Sequence, residues 1–152
     1  MKTTTNGPNL DDLSVGASPS RWTADGFDYA ARMEYDDQQD VSQYGRIEPH
    51  EEEDGERVDG RHGPVWIVAD GEGDPEYKDQ DLDRLRSYVL EHWSMVGIIV
   101  TASRNGIELG SASLWSIESD SGDYLNEAAR ELAEEATHKA RANLAALCAG
   151  LR

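Results

Sequence analysis

Any chemistry in this chain must fall to carboxylates or histidines, because other reactive groups are scarce or poorly placed. The histidines are His50, His62, His92 and His138, and none stands in a His-Glu-x-x-His or Cys-x-x-Cys spacing that would gather zinc ligands. His50 and His62 flank an acid-rich stretch and read as solvated loop residues. His92 closes a helical pattern and His138 lies within one, where a surface or helix-dipole role is expected. Cys148 is the only cysteine, so no internal disulfide is possible; in the apolar run "NLAALCAG" it is expected to be a small buried hydrophobe. Neither a Gly-x-Ser-x-Gly elbow nor a glycine loop followed by Lys-Ser or Lys-Thr occurs. Carboxyl groups abound, but a catalytic one needs an apolar pocket to raise its pKa, and these lie in polar runs. No catalytic residue and no cofactor is expected; the chain does not read as an enzyme.

The stretch "DGEGDPEYKDQD" comes nearest to a metal site. Asp70, Glu72 and Asp74 alternate, and Asp81 follows eleven residues after Asp70. Calcium loops place oxygen ligands at positions 1, 3, 5 and 12. Pro75, however, occupies the place of the turn glycine, and Asp81 is shorter than the usual bidentate glutamate. The expectation is a helix-entry loop and no metal.

Charge is the dominant signal. The 152 residues carry 31 acids against 14 bases, a net −17. Such a chain should be repelled by nucleic acid and by anionic membranes, and drawn to basic partners in a salt-sensitive way. Only three bases are lysines (Lys2, Lys78 and Lys139), a composition that also suits a high-salt or high-GC background. Residues 47–60, "IEPHEEEDGERVDG", concentrate seven acids around a single arginine. DNA presents one charge per ~1.7 Å of axis, and its binding proteins gain affinity by releasing condensed counterions. A protein surface with carboxylates at comparable intervals could occupy the same Arg/Lys groove. Candidate contact residues are Glu51, Glu52, Glu53, Asp54, Asp70, Glu72 and Asp74, together with Glu127, Glu131, Glu134 and Glu135, of which Glu127, Glu131 and Glu134 or Glu135 recur on one helix face in steps of ~6 Å.

The elements that must position these groups follow from periodicity. Residues 1–20 have none and read as a flexible tail. In "FDYAARMEY" Phe27, Tyr29, Ala31, Met33 and Tyr35 alternate with polar residues, the period of a half-buried strand. Residues 36–63 lose that pattern, and within 34–60 eleven acids face two arginines; a mobile acidic loop is expected. "PVWIVADG" suggests a short interior strand. A helix is expected over about 76–91, with Leu82, Leu85, Val89 and Trp93 on one stripe. The segment 95–115 reads as a hairpin about Asn105-Gly106, with Gly97 and Gly110 marking a bulge or a close backbone approach. A second helix over about 121–148 carries an alanine-rich stripe from Leu125 to Leu147. The fold expected is α+β: one small sheet of about four strands covered by two helices, in a single domain over 21–150.

Residues Leu114, Trp115, Ile117, Glu118, Ser119, Asp120, Ser121, Tyr124 and Leu125 resemble a motif, Leu-Trp-Gly-Ile-Glu-Ser-Asp-Ser-x-x-Tyr-Leu, of small acidic proteins from phages, prophages and plasmids. Ser116 stands at the motif's glycine. With "WSMVGIIVTAS" the likeness spans about 75–135, and it implies a mobile-element origin without specifying an activity. Charge and resemblance together suggest a viral, DNA-mimicking inhibitor of a host defence system of CRISPR or restriction type, acting in the host cytoplasm. The expected partner is a basic nucleic-acid-binding host protein, with no direct nucleic-acid binding and no membrane. The alternatives are a non-catalytic accessory protein, dimeric through Trp66, Trp115 or the alanine-rich helix, and a weak divalent-cation-binding module.

Overall fold

A computed structural model describes residues 7–71 and 74–150. The fold is α+β, in the order β1 Ser20–Ala24, β2 Phe27–Tyr35, β3 Gly45–Glu48, β4 Glu56–Gly60, β5 Gly63–Ala69, α1 Pro75–Val89, β6 Met95–Arg104, β7 Ile107–Glu118 and α2 Asp123–Gly150. The strands form a four-stranded antiparallel sheet, β1-β2-β6-β7, and a three-stranded one, β3-β5-β4. By its contacts the chain divides into two compact units, one holding the residues up to Asp37 and from Met95 onward, the other Gln38–Ser94.

In the first unit the period-two pattern of β2 buries Phe27, Tyr29, Ala31 and Met33, while Tyr35 at the strand end stays exposed. Strand β6, apolar on both faces, is central as expected, between β2 and β7. Helix α2 packs on β7, β6 and β2, so that Leu125, Ala129, Leu132, Ala136 and Ala140 meet Val96, Ile98 and Val100. The β6–β7 turn takes the positive φ values the sequence predicts, 53° at Asn105 and 79° at Gly106. Both glycines act as expected. Register shifts fall between Val96 and Ile98 and between Ala102 and Ser103. At Gly97 the Trp115 ring lies against the backbone, and at Gly110 the backbone of α2 does.

Several expectations need correction. Residues 7–20 are not all tail: Leu10 is buried in the core, and its N–H donates to Asn126 Oδ1 at 2.9 Å. The stretch 36–63 is not one mobile loop, because it supplies β3 and β4. These flank β5, and both run antiparallel to it. Residues 49–55 must therefore cross over β5, and Gly55 meets Trp66 there, where an added Cβ would lie 3.2 Å from the Trp66 Cβ. A sparse apolar set suffices, since the second unit buries Val41, Val58, Ile67, Leu85 and Trp93. Nor do both helices share one sheet; α1 packs on β5, β3 and β4. Finally, the stripe of α2 outruns its cover. Leu147 is 55% exposed and Cys148 is exposed, so Cys148 is not the buried hydrophobe expected.

Candidate functional site

Carboxylates are unevenly shared between the units. Gln38–Ser94 holds sixteen acids and six bases, a net −10 in 57 residues, which leaves −7 for the other 95. Within the second unit Glu51, Glu53 and Asp54 are exposed on the crossover between β3 and β4. Glu52 is half-buried and lies 3.8 Å from the Arg46 guanidinium. The Gly55 N–H donates to the Glu52 carbonyl at 3.0 Å, which closes the turn and holds the acidic run in place.

Asp70 and Asp74 sit at the entry to α1, and Glu72 lies outside the described residues. Asp74 caps the helix, its carboxylate accepting from Glu76 N–H at 2.9 Å, with Pro75 in the first turn where a missing N–H costs nothing. Asp81 reaches back to accept from Gly71 N–H at 3.0 Å. Two carboxylates of the calcium-like spacing thus satisfy backbone donors, the work of a helix-entry loop. Among the described residues no group of three His, Cys, Asp or Glu side chains could hold a metal.

Helix α1 adds exposed acids beyond the candidate residues. Glu76, Asp79 and Asp83 stand three and four residues apart, on one solvent face. That spacing was available in the sequence as a polar counterpart to the Leu82–Leu85–Val89 stripe. Asp83 is partly neutralised by Arg86, whose guanidinium also donates twice to Glu56 Oε2, at 2.9 and 2.6 Å. Glu56 first, then Asp83, holds the Arg86 pKa above its ordinary value. Asp40 is held below the usual carboxylate range by hydrogen bonds from the side chain and backbone of Ser42.

The α2 glutamates belong to the other unit. Glu127, Glu131 and Glu135 lie four residues apart along one exposed face, with Glu135 in an ion pair with Lys139 at 3.2 Å. Glu134 turns aside to line a cavity with Arg130. The row therefore carries one carboxylate per ~6 Å of helix axis, sparser than the ~3.4 Å per charge of a single DNA strand. Asp123, in the first turn of α2, suits the positive end of the helix dipole. No family model, curated protein or solved structure matches the chain.

Proposed function

We propose that the protein is a non-catalytic, stoichiometric inhibitor that presents carboxylates to the Arg/Lys groove of a nucleic-acid-binding host defence protein, of CRISPR or restriction type. The observation that supports this reading is the charge of the second unit, −10 in 57 residues, with exposed acids both on a braced crossover and along α1. A surface of that density attracts cationic grooves and accelerates encounter at low salt. Because the α2 row is sparse, the second unit carries most of the interaction. Each rim carboxylate contributes little alone, so the effect is collective.

Affinity capture from host lysate at low salt tests the proposal. A nuclease or CRISPR subunit should be retained, then released by duplex DNA and by added salt. A variant in which Glu51, Glu53, Asp54, Glu76 and Asp79 are all changed to Lys should retain none. Capture that survives this reversal, or that DNA does not compete, removes the mimicry mechanism.

A second reading, an accessory protein that pairs with itself, has its own support. Trp115, Ile107 and Leu147 are 40%, 62% and 55% exposed. Light scattering that shows a concentration-dependent dimer with no basic partner captured would favour it. No helix among the described residues is long and apolar enough to cross a membrane.

A further inference from the structure

Acids outnumber bases two to one in the chain, yet among the described arginines of the first unit Arg21, Arg104, Arg130 and Arg141 form no ion pair, and two of these share a cavity. Within the first unit, Arg32 pairs with Glu34 at 3.1 Å and Lys139 with Glu135 at 3.2 Å. Arg130 and Arg141 form no ion pair with any described carboxylate, although exposed Glu127 and Glu134 stand one turn from Arg130. Instead both line a cavity of about 500 Å³ between β1, β2 and α2, with His138 beside them. The volume falls in the range of small-molecule sites, roughly 300–1,000 Å³.

The floor of this cavity is aromatic and internally satisfied. Trp22 and Tyr29 stack with centroids 5.3 Å apart and planes 7° from parallel. The Tyr29 hydroxyl bonds to Thr137 Oγ1, which in turn donates to the Ala133 carbonyl at 2.6 Å. The two rings are only 6% and 3% exposed, so the floor offers a small apolar patch rather than free donors, and charge is confined to the rim, where Asp25 of the β1–β2 turn joins Glu134 as a second carboxylate. Along α2 the rim is ordered: Arg130, then Glu134, then His138 and Arg141. Arg130 and Arg141 lie eleven residues apart, about 16 Å along the axis, too far for a compact ion to satisfy both. Glu134 between them repels a single dense charge at the centre.

We propose that this cavity binds an elongated organic dianion, with an apolar or aromatic body over Trp22 and Tyr29, one anionic group at Arg130 and the other at His138 and Arg141. Guanidinium groups suit carboxylate or phosphate ends through paired N–H donors. The lining residues all belong to the first unit.

Naphthalene-2,6-dicarboxylate, succinate and 2-naphthoate serve as probes, titrated calorimetrically into the full chain at constant ionic strength. The long aromatic dianion should bind saturably. The short dianion and the monoanion should bind about tenfold more weakly or worse, since each forfeits one charged end. Arg130→Gln and Arg141→Gln should each weaken the dianion by about tenfold, and Glu134→Gln should tighten it. All three positions are exposed, so the variants should keep the parent's circular dichroism. Should one misfold, the direction of the Glu134→Gln change still decides the matter. The proposal fails if the aromatic dianion shows no saturable heat, if the monoanion binds as well, or if Glu134→Gln weakens binding.

Discussion

Changing Gly110 to Ala tests how rigidly α2 is seated on its sheet. A Cβ at Gly110 would lie 2.3 Å from the Ala136 carbonyl oxygen and 2.7 Å from the Ala140 nitrogen, both backbone atoms of α2. Backbone cannot rotate aside as a side chain can. To restore ordinary contact the helix must retreat by about 1 Å, and gaps of that size forfeit roughly a quarter to a half of each dispersion contact they open. The contacts at stake are those of Leu132, Ala136 and Ala140 with β6 and β7. Overpacking of a well-filled core costs about 1–3 kcal/mol and occasionally more; the helix-wide displacement places Gly110→Ala near 3 kcal/mol. Gly97→Ala provides the control. Its Cβ would lie 2.1 Å from Trp115, a 40% exposed side chain with room to swing, so the cost should be smaller, about 1 kcal/mol. Trp115→Ala should largely erase it. Urea unfolding followed by far-UV circular dichroism measures both. If Gly110→Ala falls within about 0.5 kcal/mol of the parent, the level set for an ordinary surface change, α2 is not held as tightly as this packing requires.

Leu10→Ala should cost about 2–5 kcal/mol, the range for emptying a buried leucine site, because Leu10 is 3% exposed in the main core; a loss below 0.5 kcal/mol in urea unfolding would return residues 7–20 to the status of a tail. Tyr88 has its pKa raised above 10.0 by burial. Its contribution is therefore complete below about pH 10 and is lost as pH rises from there through the folded-state value, so Tyr88→Phe should flatten the alkaline fall in melting temperature while changing little at pH 7. Ser116 holds φ 60°, and both its N–H and its hydroxyl donate to Asp36 Oδ2, at 2.8 and 3.2 Å. Asp36→Ala should then cost about 1–2 kcal/mol, whereas Ser116→Gly, which keeps the N–H donor and relaxes the left-handed backbone, should be neutral within about 0.5 kcal/mol; equal effects of the two changes in urea unfolding would contradict this division.

The elements legible in the sequence are those specified by their own residues. The alternation of Phe27–Tyr35, the Asn105-Gly106 turn and the stripes of α1 and α2 are local patterns, and each appears where it was expected. Strands β3 and β4 were hidden because four or five residues with one buried or half-buried apolar side chain each, Ile47 and Val58, do not establish a period. Their order comes from pairing on both sides of β5, a non-local gain that no short window contains. Leu10 was hidden for a related reason, since the partner of its N–H is Asn126, 116 residues away. The limit of α2 burial was equally invisible; an apolar stripe does not say where the sheet beneath it stops. Among candidate site residues, the acidity and exposure of Glu51, Glu53 and Asp54 were legible. The capping role of Asp74 was less so, and the turn of Glu134 toward a cavity required the β1–β2 surface to be in place.

The second unit joins the larger share of negative charge to the smaller core: among the described residues it has five buried hydrophobic side chains, against nineteen clustered in the first unit. Self-repulsion among its carboxylates works against compaction, and few buried contacts oppose it. At low salt the Debye length exceeds the spacing between neighbouring carboxylates, whereas at about 0.5 M it falls to a few ångströms and the repulsion is largely screened. Raising salt should therefore slow hydrogen exchange several-fold at the paired amides of β3, β4 and β5, while amides of β2 and β6 change little. A cationic groove would act as bound salt does, stabilising the unit it neutralises and gaining affinity in proportion. The same repulsion that weakens the free unit would then favour its capture. Exchange in β5 that is indifferent to salt would show that the acids lie too far apart to repel one another, and hence too far apart to act collectively on a partner.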